Sequence, residues 1–381
     1  MPAYHQMGHD SWNLVAEAAL EGYAGLILSP VNDGPGDVQA RLGGLRIPGS
    51  LEMVLDPQLY KPSSDRGALA SWPHFDADVD TVELGDNRWW DERGKALCEC
   101  ATTIGVEAIC SPAMLPKVFD DDYYQFSADV AARLQPLASA KKLDLLVTAI
   151  VHLPDLTKQG RAEAIASILT SVDVSRVYLV FYDDLYPRDQ RTDFQMLANA
   201  GRLIRLLQQA GSRVLTAFSG FDMILWKAAG SADVASGKFF NLRRFVPGRW
   251  DDPEEGGRVV PYWTDGGFVT WLREDDLRLL DMHGLVDRTC AATNPYAAEI
   301  LRIIDSGKKD AWVALGWRQY LRWFKDTERQ IAASPSAATA MLTHANTLWA
   351  KVEEAKLLMY DRRNTGEWIR PWLNAVSLMS K

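Results

Sequence analysis

The sequence predicts an α/β protein, a (β/α)8 TIM-like barrel with a C-terminal helical extension. Three observations predict it. Eight short apolar runs recur through the first two thirds of the chain. Most are continuous rather than alternating, the pattern of parallel strands buried on both faces. Helical segments separate several of them, and strands alternating with helices to a count of eight describe a closed barrel.

In order, the candidate strands are 26–30 (LILSP), 51–57 (LEMVLDP), 79–85 (VDTVELG), 106–112 (VEAICSP), 143–152 (LDLLVTAIVH), 177–184 (VYLVFYDD), 213–220 (RVLTAFSG) and 232–237 (ADVASG). Helical patterns span 91–104, 122–138, 161–171, 193–210 and 223–229. A doubly wound open sheet gives the same alternation but usually carries a glycine-rich nucleotide turn after its first strand. Asn32-Asp33-Gly34-Pro35-Gly36 lies there without GxGxxG spacing, and no helix pattern begins at once. A Gly-, Pro- and acid-rich stretch from Val246 reads as an excursion loop over about 246–268, closing a barrel core of residues 1–268. Residues 269–381 read as helical to the end, with the last barrel helix among them and the rest packed on the barrel flank.

The composition bounds the function. Lys+Arg 41 against Asp+Glu 50 gives −9, which excludes a general basic coat and leaves nucleic acid only a local basic pocket. Cys98, Cys100, Cys110 and Cys290 are too scattered for a disulfide framework, and the first pair lacks the second pair of a structural zinc site. With no basic-then-apolar leader and no membrane-length apolar run, the expectation is a cytoplasmic protein with no membrane partner. Trp 14 is the unusual count. Trp72, Trp89, Trp90, Trp250 and Trp263 fall in loops near the expected barrel mouth, while Trp312, Trp317, Trp323, Trp349, Trp368 and Trp372 lie in the tail, where helical spacing favours packing.

In a barrel the active site forms at the C-terminal ends of the strands, so the residues closing each run are candidates. Asp56, Glu83 and Asp183 would bring carboxylates to the mouth as acid and base, as a glycosidic pair, or as ligands for Mg²⁺ shared with a phosphate. His152 closes the longest strand and is a candidate base; no HxH or HExxH spacing accompanies it, so no zinc site is expected. Ser219 lacks a GxSxG elbow, and Cys110 is flanked by apolar residues. Gln58, Tyr60, Asn87 and Trp89 follow early strands as candidate substrate contacts. After the last strand, Ser236-Gly237-Lys238 sits where barrels bind phosphate on backbone amides, with Asn241, Arg243 and Arg244 as further donors. Adjacent Arg243 and Arg244 would point oppositely on a strand, so one would reach the pocket. The same arginines could instead bridge Asp251, Asp252, Glu254 and Glu255.

Two segments resemble the tRNA-guanine transglycosylase family of barrels. Asp56-Pro57-Gln58-Leu59-Tyr60 is similar in position to that family's DSGG(F/Y) motif. Gly230-Ser231-Ala232-Asp233-Val234-Ala235-Ser236, followed by Asn241, Arg243 and Arg244, resembles its GxDxxD strand and Arg-containing loop. Ser236 stands near the family's covalent aspartate, and the CxCxxC…H zinc site is absent. The resemblance thus implies a nucleobase or nucleotide-like ligand rather than the covalent step.

These readings lead to an enzyme acting at a glycosidic or phosphate-bearing centre of a nucleoside, nucleic-acid or sugar-phosphate-like substrate, with Lys238 and one arginine holding the anion and Trp89 or Trp90 covering a ring. Two alternatives are a non-catalytic subunit docking a protein partner or a second copy through its Trp-rich helices, and a glycoside hydrolase using paired carboxylates.

Overall fold

In the computed structural model, the described residues are 3–17, 19–44, 51–76, 78–80, 82–173, 175–252, 259–307 and 311–379. Eight parallel strands close a barrel in sequence order. These are β1 (Ala3–Gln6), β2 (Gly25–Leu28), β3 (Glu52–Leu55), β4 (Ala108–Cys110), β5 (Asp144–His152), β6 (Arg176–Tyr182), β7 (Arg213–Ala217) and β8 (Asp233–Ser236). The ring closes where His5 of β1 lies opposite Ser236 of β8.

The count of eight holds, but its membership changes. The strand expected over 79–85 is instead a loop ending in a 3-10 turn, Glu83–Gly85. Asp80 causes this: its Oδ1 accepts from the amides of Val82 and Glu83 at 2.7 and 2.9 Å, taking donors a ladder would need. The missing strand is β1, whose four residues end in two polar side chains buried in the interior. It carries too little apolar signal to be read as a run.

Between the strands run α1 (Ser11–Ala16), α2 (Pro35–Gly44), α3 (Asn87–Ile104), α4 (Asp121–Ala140), α5 (Arg161–Leu169), α6 (Phe194–Gln209) and α7 (Met223–Ala228). α2 corrects the expectation that no helix starts after the Asn32–Asp33–Gly34 turn: it begins at Pro35, where a missing N–H costs nothing. The barrel's N-terminal end is plugged by charge. Arg176 donates to Glu52 at 2.6 and 3.0 Å and to Asp144 at 2.6 Å, and Tyr4 donates to Glu52 at 2.5 Å.

The excursion after β8 is only partly loop, since β9 (Trp263–Asp265) and β10 (Thr270–Leu272) pair as an antiparallel hairpin; residues 253–258, with Glu254 and Glu255, lie outside the described residues. The expectation of helix throughout from residue 269 is corrected by β10. Beyond it come α8 (Glu274–Met282), α9 (Pro295–Ser306), α10 (Val313–Ala333), α11 (Ser336–Glu354) and α12 (Ile369–Met379). α10 packs on β8, β1 and α7, the place of the last barrel helix. Tyr320 of α10 bonds Ser236 of β8 at 2.6 Å, and Tyr23 donates to the Leu321 carbonyl at 2.8 Å. The tail tryptophans Trp312, Trp349, Trp368 and Trp372 are buried within the chain itself. Among the described residues no helix is long and apolar enough to cross a membrane.

Candidate functional site

At the C-terminal mouth of the barrel, the buried carboxylate of Asp56 lies at the centre of a polar network. Asp56 follows β3 directly and is 1% exposed. Its oxygens accept from the Tyr60 hydroxyl at 3.1 and 3.0 Å, from the Gln58 amide at 3.0 Å and from the Tyr178 hydroxyl at 3.3 Å. Tyr178 reaches it from β6 and in turn accepts from Gln6 of β1 at 2.8 Å. Gln58 is placed by a left-handed backbone turn, φ 54°, which aims it back at Ser29 after β2, whose hydroxyl donates to it at 3.1 Å. Burial pushes the Asp56 carboxyl up to about 6, against the hydrogen bonds from Gln58, Tyr60 and Tyr178, which favour the charged form. An acid that changes protonation near neutrality is suited to moving protons.

Arg249 completes the network. It lies in the short helical turn Pro247–Trp250 that opens the excursion, and it is 6% exposed. Its Nη2 donates to Ser29 Oγ at 3.1 Å, its Nε has no partner, and among the described residues no carboxylate lies within salt-bridge distance. Burial, with Arg66 nearby, lowers its pKa to about 10, and Asp56 works in the opposite sense. The side-chain Nε2 of Gln58 and the side-chain Oε1 of Gln6 are also buried without partners. Unmatched buried donors and acceptors of this kind are costly unless a ligand meets them.

The turn carrying Arg249 is fixed onto the loop between β3 and α3. Arg66 donates to the carbonyls of Arg249 and Asp251 at 2.6 and 2.8 Å, Ser64 donates to that of Trp250 at 2.5 Å, and Lys61 pairs with Asp251. Tyr60 then packs edge to face on both Phe245 and Trp250, whose own rings are tilted against each other, with ring centroids 4.9–5.2 Å apart. They line a cavity of about 620 Å³ that shares Tyr60 with the network.

The other sequence candidates are placed elsewhere. Asp183 is buried but engaged by Arg191 and, at 3.4 Å, by Arg244; Arg191 also pairs with Asp222. Burial raises the Asp183 carboxyl, but the two arginines outweigh it and hold it below the usual range. Glu83 is exposed and accepts from the Asp80 amide at 3.0 Å, so it does not close a strand beside Asp56, and the paired-carboxylate arrangement is not formed. Asn87 is exposed at the first turn of α3. Trp89 is buried against Trp90 and donates to Asp76 at 2.9 Å, which leaves neither indole face open over the mouth. His152 stacks on Phe119 at 5.0 Å, with Nδ1 3.4 Å from Asp155, on the rim rather than in the Asp56 network.

The expected anion loop is consumed by packing. The Gly237 amide donates to the Leu242 carbonyl at 3.2 Å, and a Cβ there would stand 2.7 Å from the Gln6 carbonyl, so the backbone is closed by protein rather than open to phosphate. Ser236 is bonded to Tyr320. Lys238 is buried, with Nζ 4.9 Å from the Phe239 and Trp317 ring centroids. Arg243 donates to the carbonyls of Gly237 and Lys238 at 3.1 and 2.7 Å and lies 3.5 Å from the Tyr320 ring centroid, while Arg244 turns the other way to Asp183 and the Asp189 carbonyl. Asn241 has a buried, unpartnered Oδ1. Asp233 of the GxDxxD-like segment starts β8 at the barrel's other end and is bonded to Arg213 at 2.6 and 2.8 Å. Among the described residues no group of three or more His, Cys, Asp or Glu side chains is set to hold a metal.

Arg249, Tyr178 and Gln6 are the site residues absent from the sequence candidates, whereas Ser29 closes an apolar run and was legible as one. Tyr178 and Gln6 lie on strands, and strand side chains reach the mouth only once the barrel is closed; Arg249 had as its signal a cation within a loop otherwise rich in acid.

No protein-family model matches the chain, and no curated protein matches it. Among solved structures it is similar to D-psicose 3-epimerase from Clostridium cellulolyticum H10, at 12% identity and TM-score 0.40 over 87% of this chain and 99% of that one. It is also similar to L-ribulose 3-epimerase, at 14% identity and TM-score 0.39 over 93% and 97%. A third is dihydrodipicolinate synthase from Bacillus clausii, at 9% identity and TM-score 0.38 over 98% and 96%. Likeness at this level carries no argument about the chemistry of this chain.

Proposed function

We propose that the chain is a barrel enzyme carrying out acid–base chemistry on a small anionic molecule, with Asp56 moving the proton and Arg249 holding the anion. One observation carries the reading: a carboxyl pushed up by burial to about 6 and a buried guanidinium that has no carboxylate partner among the described residues share one hydrogen-bonded network, through Gln58 and Ser29. Tyr60 and Tyr178 steady the carboxylate and keep it oriented. Their own hydroxyls stay protonated, because burial and the neighbouring Asp56 charge push both far above neutrality. The anion would be a carboxylate or phosphate oxygen, which suits a planar guanidinium.

A phosphate-bearing centre fits this arrangement better than a glycosidic one. Glycosidic cleavage calls for two carboxylates across the bond, and among the described residues Asp56 has no free second. The covalent step of the transglycosylases is not supported either, since Ser236 is bonded to Tyr320. The test is incubation of the whole chain with a panel of small carboxylates and phosphate esters in D₂O, read by proton NMR for turnover or isotope uptake. A substrate turned over by the wild type should be lost, by a hundredfold or more, in Asp56→Asn, and should bind more weakly in Arg249→Met. Full turnover by Asp56→Asn would remove the assignment.

A further inference from the structure

We infer that the molecule bound at this mouth carries an apolar or aromatic body beside its anionic group, and is not a bare sugar or sugar phosphate. This rests on the Asp56–Arg249 reading and concerns the rest of the same ligand. Tyr60 joins the two regions: its hydroxyl bonds Asp56, and its ring forms part of the wall of the 620 Å³ cavity. A group that reaches Asp56 past Tyr60 therefore leaves the remainder of its molecule in that cavity, whose size suits a small organic ligand.

The lining decides the chemistry. Pro62, Leu84, Met114, Leu115, Phe245 and Trp250 supply most of the wall. Of its polar side chains, Tyr60 is committed to Asp56, and Lys61 and Asp251 are committed to each other. The Trp250 indole N–H is buried without a partner, and Lys117 at the rim is exposed and unpaired among the described residues. Several sugar hydroxyls would exchange water for a wall that offers them only the Trp250 N–H and the Lys117 ammonium as uncommitted side-chain donors, at a cost for each hydroxyl left over. A hydrocarbon or aromatic body gains by the same transfer.

The experiment measures binding of acetate, butyrate, hexanoate, phenylacetate and glucose 6-phosphate to the full chain by calorimetry and tryptophan fluorescence. Affinity should rise about fourfold for each methylene added from acetate to hexanoate, and Leu115→Trp, which fills the cavity, should flatten that series. Met114→Phe serves the same purpose if Leu115→Trp does not fold. A flat series in the wild type, or glucose 6-phosphate bound more tightly than hexanoate, overturns the inference and leaves the Asp56–Arg249 reading standing. Absence of binding by every probe, with the wild type melting identically with and without them, overturns both.

Discussion

Arg249 reaches across the barrel mouth to donate its Nη2 to Ser29 Oγ at 3.1 Å, and among the described residues this hydroxyl stands where a buried arginine would ordinarily have a carboxylate. The ligand-free protein thus carries the desolvation cost of a cation without the Coulombic gain of an ion pair. Arg249→Met should leave the free protein as stable as wild type or more so, within about 1–2 kcal/mol, in urea titrations. The same variant should lose the rise in melting temperature that millimolar carboxylates or phosphate give the wild type. A variant that is less stable by several kcal/mol and still stabilised by those anions would show that Arg249 is structural.

Asp56 predicts a specific pH dependence. Its carboxyl is raised in the folded chain to about 6, from 3.8, so the folded state binds a proton that the unfolded state releases. The stabilisation from this group is therefore full below about pH 4 and lost as pH rises through about 6, a change on the order of 3 kcal/mol. Asp56→Asn should lack that component, so its stability relative to wild type should increase between pH 4 and pH 8, measured by urea denaturation at both. A difference independent of pH would contradict the raised carboxyl.

Gly237 separates two accounts of the loop after β8. Were it an open phosphate cradle, Gly237→Ala would weaken anion binding in a normally stable protein. A Cβ at 2.5 Å from Leu242 Cβ and 2.7 Å from the Gln6 carbonyl should instead destabilise the fold, by about 1–3 kcal/mol or more. The melting temperature of the ligand-free variant reports which holds.

Arg243 ties the barrel to α10 through Tyr320. Removing the hydroxyl in Tyr320→Phe leaves the cation–π contact and takes away the hydrogen bond to Ser236 and the longer one, at 3.4 Å, to the Ser219 carbonyl, and should cost about 1 kcal/mol. Arg243→Ala removes the stacked cation and leaves the Gly237 and Lys238 carbonyls short of a donor, and should cost about 3 kcal/mol or more. Chemical denaturation of the two variants side by side gives the comparison.

The barrel was legible because continuous apolar strands and intervening helices leave periodic marks that survive without tertiary context. Asp56, Gln58 and Tyr60 were legible too, since a polar cluster closing an apolar run has few other places to go. The membership of the ring was less so. The short strand Ala3–Gln6 hides its two polar residues in the interior, and the stretch 79–85 imitates a strand until Asp80 takes its amides.

Charge was the least legible property. Lys238, Arg243 and Arg244 look alike in sequence as an anion site, and Arg249 looks like one more residue of an acidic loop. What separates them is which rings, carbonyls and carboxylates surround each cation after the chain closes: aromatic faces and carbonyls for Arg243, Asp183 for Arg244, and a single hydroxyl for Arg249. The sequence by itself determined the barrel, its helical extension and the acid at the end of β3, because these depend on local patterns of apolar and polar residues. Only the tertiary structure decided which cation is left unpaired, because pairing depends on contacts between residues as far apart as Ser29 and Arg249.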